Sequence, residues 1–152
     1  MSAQLGEPAM GRAGATHASM WTPSWSLACR LVGAAAIAAS GAIHFQLWSS
    51  GYNVLSVIGP LFLLDAIGSW VLGLTLVATR FWVLAAAGIL MELGAIAGLA
   101  LASTTGLFGF TETGIGVGGQ IMAAYGTEAL AVIVLTTSLV LSRAGLRQLT
   151  KG

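Results

Sequence analysis

The chain has 152 residues, 57% of them hydrophobic and only 7% charged, with a net charge of +1. A water-soluble domain carries about 25% charged residues, so these groups are too few to coat a water-facing surface, and a mean hydropathy of +0.90 agrees. The composition therefore points to an integral membrane protein of one compact unit and, with no basic tract, away from a nucleic-acid binder. Cys29 is the single cysteine, which excludes an intrachain disulfide and the metal signatures that need cysteine pairs.

Residues 1–26 are polar, rich in small side chains and contain two prolines. They show no sustained apolar period, which predicts a disordered tail, with Trp21 and Trp25 settling at the headgroup level. Four apolar runs follow, at about 31–49, 60–79, 81–103 and 121–142. Each is near the ~20 residues that cross a ~30 Å hydrocarbon core, and each is too long for a strand. Pro60 opens the second run, where a missing N–H would be unpaired anyway. The expected fold is all-α: a four-helix transmembrane bundle over 27–145, followed by a short tail over 146–152. The alternative for the first run is a signal peptide, since "RLVGAAAIAASGA" has a basic start, an apolar core and a small-residue end. A mature chain starting near Ala42 would leave three spans.

Basic residues predict the orientation. Arg30 precedes the first run, Arg80 lies between the second and third, and Arg143, Arg147 and Lys151 follow the fourth, whereas 49–59 and 104–120 contain no Lys or Arg. The positive-inside rule then places both termini and the Arg80 turn in the cytoplasm, in the cytoplasmic membrane. The short turn at Thr79–Arg80 makes the second and third spans an antiparallel hairpin. The loop "TTGLFGFTETGIGVGGQ" is long and glycine-rich. It reads as a flexible connector or, functionally, as a lid over the bundle with Glu112 just after its apolar "GLFGF".

Ionisable groups inside a span cost about 2.5–3.5 kcal/mol at a helix centre for Asp, Lys or Arg. There is one such group per run: His44, Asp65, Glu92 and Glu128. Counted from Arg30, Arg80 and Arg143 at ~1.5 Å per residue, all four fall about 18–22 Å from the basic edge, within roughly one helical turn of one level. Small residues share the face of His44 (Ser40, Ala36, Gly33), Glu92 (Gly88, Ala85, Ala95) and Glu128 (Ala124, Ala131). Such residues let membrane helices approach closely, so these faces should look inward. Asp65 shares its face with Gly68 and Ser69 but then with Leu72 and Leu76, a weaker inward signature. Gly94 and Gly98 form a GxxxG beside Glu92, which suggests that the third span is a packing helix.

Three carboxyls at close range cannot all stay ionised in a low dielectric. The cluster therefore reads as a ligand or proton site, with His44, Asp65, Glu92 and Glu128 at its centre, Tyr125 one turn from Glu128, and Glu112 on the loop. A metal is the alternative, with His44, Glu92 and Glu128 as ligands, and a purely structural hydrogen-bonding role is another. No cofactor is firmly implied. Haem held by two histidines is disfavoured, because the other histidine, His17, lies in the tail. Ser40 one turn from His44 is too weak a signal for covalent catalysis, so the reading is non-enzymatic. A metal- or quinone-dependent redox protein is the remaining class. The bilayer is the expected partner, and a homo-oligomer or larger membrane complex is compatible with it.

The segments "HFQLW", "GY", "IGPLFLLDAIGSWVLGL" and "GLFGFTE", with the acidic span after them, resemble a group of small four-span membrane proteins of high-GC Gram-positive bacteria. The resemblance covers about 31–142. It implies the four-span fold and carries no activity. Where that group has a neutral polar residue after "LFLL", this chain has Asp65, so the resemblance implies no role for Asp65.

Overall fold

The computed structural model describes residues 22–79, 81–113 and 118–149. Four helices account for nearly all of them: α1 (Thr22–Ser49), α2 (Ile58–Ala78), α3 (Trp82–Thr104) and α4 (Gly118–Leu149). All four are long and apolar enough to cross a membrane, so the chain is a multi-pass membrane protein with an all-α four-helix bundle. At ~1.5 Å per residue even α2, with 21 residues, spans about 32 Å. The lipid-facing surface is made of side chains that water would not tolerate, such as Leu64, Leu74, Leu90 and Ile133 at 63–73% exposure.

The helices run up and down. One end of the bundle, the loop end, carries residues 50–57 and 105–113; the other, the turn end, carries the start of α1, the end of α2, the start of α3 and the end of α4. The reading of 1–21 as a disordered tail lies outside the described residues, but the 1–26 boundary needs correcting, because α1 is already helical from Thr22 and includes Trp25 and Ser26. Likewise α4 continues to Leu149, into the segment assigned to the second tail. Pro60 sits in the first turn of α2, where its lack of an N–H costs no helical bond.

Packing is uneven around the ring. α1 lies along α2 and α4, and α3 lies along α4, but α2 and α3 touch little despite their short connection. Close approach is made by glycines on the α1 side. A Cβ added at Gly41 would lie 2.6 Å from Ser69 Cβ and 3.0 Å from the Ala66 carbonyl, and one at Gly73 would lie 3.1 Å from the Ala34 carbonyl. The half of the bundle toward the turn end is closed by an apolar core containing Ile37, Leu76, Ala85, Ala131 and Leu135. Leu72 and Leu76 thus continue the inward face of Asp65, and the bulk that made this face look ambiguous is core-filling.

The GxxxG of α3 does the opposite of what its spacing suggests. A Cβ at Gly94 would meet nothing within 4 Å, and one at Gly98 would touch only Leu107 at 3.9 Å. These glycines pack against no helix. They widen the gap between α2 and α3.

Candidate functional site

Antiparallel packing brings the inward positions of the four helices into stacked layers. Above the apolar core lies a polar layer in which Ser40, Ser69, Glu92 and Glu128 are each at most 1% exposed. One turn further toward the loop end sit His44, 5% exposed, and Asp65 beside it. The four ionisable groups expected to meet at one level therefore do meet.

His44 is the hub. Its Nδ1 lies 3.0 Å from the Ser40 carbonyl oxygen and 3.0 Å from Asp65 Oδ2. A carbonyl can only accept, so Nδ1 carries a proton and donates it to Ser40. The Asp65 oxygen lies beside that N–H but outside hydrogen-bond geometry. Nε2 faces Glu128 Oε1 at 3.5 Å. A bare ring nitrogen and a bare carboxylate would repel, so one proton belongs to this contact, either as a carboxylic acid facing neutral imidazole or as a carboxylate facing imidazolium. Glu92 lies beside the Ser40 hydroxyl and within electrostatic range of Asp65 and Glu128. Both oxygens of Glu92, both of Glu128 and the hydroxyls of Ser40 and Ser69 are buried without a hydrogen-bond partner in geometry.

Between α2 and α3 the cluster opens into a cavity of about 440 Å³. His44 and Asp65 form its polar floor, Phe62, Met91, Gly94 and Leu99 are among its walls, and Leu107, Phe110 and Glu112 roof it. Leu61 and Leu64 also line it while being 42% and 67% exposed, so the cavity is open sideways at the lipid-facing surface. Among the described residues, no Lys or Arg lines it.

The roof is folded rather than an unstructured connector. Leu107 and Phe110 pair through N–H to carbonyl bonds of 2.7 and 2.9 Å, in a turn that uses positive φ at Gly106, Phe108 and Gly109. The Glu112 N–H donates to the Ala102 carbonyl at 2.9 Å, tying the turn to α3. The Tyr52 hydroxyl donates to Glu112 Oε2 across the mouth of the bundle. Partial burial, then the hydrogen bond and charge of Glu112, push the Tyr52 phenol well above its ordinary pKa. Tyr52 packs on Phe110 and Phe62, and Phe62 meets the His44 ring edge-on at 5.4 Å. An aromatic chain thus links roof to floor.

Glu112, expected on the loop, is at the roof and separate from the buried carboxyl layer, and no hydrogen bond joins Tyr125 to Glu128. The partner of Glu112 is Tyr52, and no spacing signal links residues 60 apart. Ser40 and Ser69 belong to the polar layer, and their signal was legible in the faces they share with His44 and Asp65. Among the described residues, no group of three or more His, Cys, Asp or Glu side chains is arranged to hold a metal ion, so the conditional set His44, Glu92 and Glu128 is not assembled as a ligand shell. Trp70 packs on Phe45 and donates Nε1–H to the Ala38 carbonyl at 3.3 Å.

No protein-family model, curated protein or solved structure matches this chain.

Proposed function

We propose that this membrane protein binds a small, mostly apolar molecule in the α2–α3 cavity, with a hydrogen-bond-donating or cationic head against His44 and Asp65. The observation that carries the reading is the join of a laterally open apolar cavity to a floor where Asp65 Oδ2 is buried beside the His44 ring with no hydrogen bond in geometry among the described residues. Buried polar groups are ordinarily paired, and a floor of acidic oxygens with no Lys or Arg nearby suits a donor head. A role for these groups purely as interhelical glue fits less well, because the contacts are loose: Glu128 reaches His44 only at 3.5 Å, and Asp65 Oδ2 lies beside the His44 N–H outside hydrogen-bond geometry. Proton passage across the membrane also fits less well. Ile37, Leu76 and Leu135, each at most 1% exposed, close the bundle beneath the polar layer.

The basic residues favour a cytoplasmic-membrane orientation with the turn end inside and the cavity in the outer half of the bilayer. A ligand would then arrive from the outer leaflet or through the roof.

The test uses purified protein in a zwitterionic detergent, with phenylalkylamines compared with alkylbenzenes of equal chain length. The amines should raise the melting temperature and the hydrocarbons should not. Asp65→Asn should weaken amine binding by roughly tenfold, the effect of one charge-assisted hydrogen bond, while leaving the apoprotein's melting within about 1 kcal/mol of wild type. Equal stabilisation by amine and hydrocarbon, or an Asp65→Asn change that lowers stability without altering binding, would sink the proposal.

A further inference from the structure

The turn end holds a second, smaller cavity of about 120 Å³ that the cluster above does not use. Arg30 of α1 reaches into it, Ser138 and Ser142 of α4 flank it, and Trp82 of α3 closes one side. Arg30 Nε is buried with no hydrogen-bond partner among the described residues. Nor does any described carboxylate neutralise it: the ion pairs among those residues involve only His44, Asp65 and Glu128, and Glu92 and Glu112 belong to the polar layer and the roof. Arg143 adds a second guanidinium next door, its Cζ 5.9 Å above the Trp82 ring. A buried N–H donor on a permanent cation, in a pocket whose described lining holds no acid, suits an anionic acceptor.

The pocket's depth and shape narrow the anion. Trp82 is the first residue of α3, and Ser142 and Arg143 lie seven and six residues before the end of α4. Arginine and tryptophan at this depth mark the boundary between hydrocarbon and headgroups. Leu27, Leu76 and Leu139 supply an apolar wall, and Phe81 and Trp82, at 70% and 60% exposure, leave the pocket open to the surrounding lipid. Ser138 donates to the Ser26 carbonyl at a long 3.4 Å, and Ser142 to the Ser138 carbonyl at 2.8 Å. The first of these hydroxyls turns toward an incoming oxyanion at little cost.

From these features we infer that the Arg30–Ser138–Ser142 pocket is a binding site for a phosphate oxyanion, presented at this depth by the headgroup of an anionic phospholipid. The apolar wall receives the glycerol and first acyl carbons, and Arg30 donates Nε–H to the phosphate. This site is independent of the cavity reading, since it lies at the other end of the bundle beneath the apolar core.

The experiment takes the full chain, delipidated in a zwitterionic detergent. Binding of phosphatidylglycerol, phosphatidylcholine and inorganic phosphate is measured by native mass spectrometry and by melting temperature. Wild type should retain phosphatidylglycerol over phosphatidylcholine, and Arg30→Gln should cut that preference by roughly tenfold while preserving the helical circular dichroism. Ser142→Val, which fills the pocket from α4 and leaves Arg30 intact, should lower retention severalfold and serves where Arg30→Gln fails to fold. Protection by inorganic phosphate equal to that by the lipid would assign the site to a free anion and overturn the lipid source. An unchanged phosphatidylglycerol preference in the folded Arg30→Gln protein, or in Ser142→Val if that variant is the one available, would overturn the site itself.

Discussion

The two faces of α2 obey opposite rules. Toward α1, glycine and serine let backbones close to contact: Gly41 abuts Ser69 and the Ala66 carbonyl, and Gly73 abuts the Ala34 carbonyl. Toward α3, the same kind of residue creates space, with Gly68, Gly94 and Gly98 lining the cavity. In a bilayer, small residues bring no hydrophobic gain by meeting each other, and association rests on dispersion and hydrogen bonds. Whether a glycine becomes a contact or a hollow is therefore decided by its neighbours. Across the α1–α2 seam each glycine meets a partner that fills it. Across the α2–α3 seam Leu61 and Leu64 line the open side of the cavity at 42% and 67% exposure, and nothing comes within 4 Å of a Cβ added at Gly94.

The largest effect expected from this contrast is on stability. Gly41→Val would drive a branched side chain into Ser69 and the Ala66 carbonyl, where even the first added carbon lies at 2.6 and 3.0 Å. Overpacking of this kind costs on the order of 3 kcal/mol, or abolishes folding. Gly94→Val, the same chemical change on the other seam, meets open space and should shift stability by less than about 1 kcal/mol. Thermal melts of the two variants in one detergent compare the seams directly, and equal losses would show that the α2–α3 gap is packed in the protein.

The next effect is on binding. Gly94→Leu occupies the cavity wall without touching His44 or Asp65, so it separates volume from polarity. Affinity for the phenylalkylamine probe should fall by roughly tenfold as apolar contact area is displaced, with the melting temperature of the unliganded protein held or slightly raised by the filled void. Undiminished amine binding in Gly94→Leu would move the ligand out of this cavity.

Much of this organisation is legible in the sequence, for reasons that differ by feature. The four spans follow from hydropathy, and the convergence of His44, Asp65, Glu92 and Glu128 follows from counting residues from basic markers at a helical rise. The polar layer also follows, since Ser40 and Ser69 share faces with His44 and Asp65. What spacing does not reveal is pairing between distant segments. Tyr52 and Glu112 are 60 residues apart, and only the closed bundle brings the end of α1 to the roof. Nor does a motif reveal its surroundings: GxxxG marks a helix surface from which bulk is missing, and Gly94–Gly98 shows that the missing bulk can face a cavity. The helical ends are hidden for a related reason. Thr22–Ser26 and residues past 145 lack a sustained apolar run, yet they extend α1 and α4.

The smallest predicted effect concerns the roof, and it sharpens the difference between a latched loop and a loose connector. The folded Tyr52 phenol is held above its ordinary value by burial and by Glu112. The sign of the linkage follows. The latch contributes fully at and below the ordinary phenol value of ~10, and its contribution is lost as pH rises through the higher folded value, because only the unfolded chain ionises readily between the two. In a Tyr125→Phe background, which leaves Tyr52 as the only tyrosine, absorbance at the phenolate band should therefore show a midpoint above ~10 in the folded protein. Glu112→Gln removes the charge but keeps an acceptor, so it should bring that midpoint back toward the ordinary value while changing stability by only a few tenths of a kcal/mol. A Tyr52 midpoint at the ordinary value with Glu112 intact would mean that the roof is not latched, and that the cavity is open at the loop end as well as to the side.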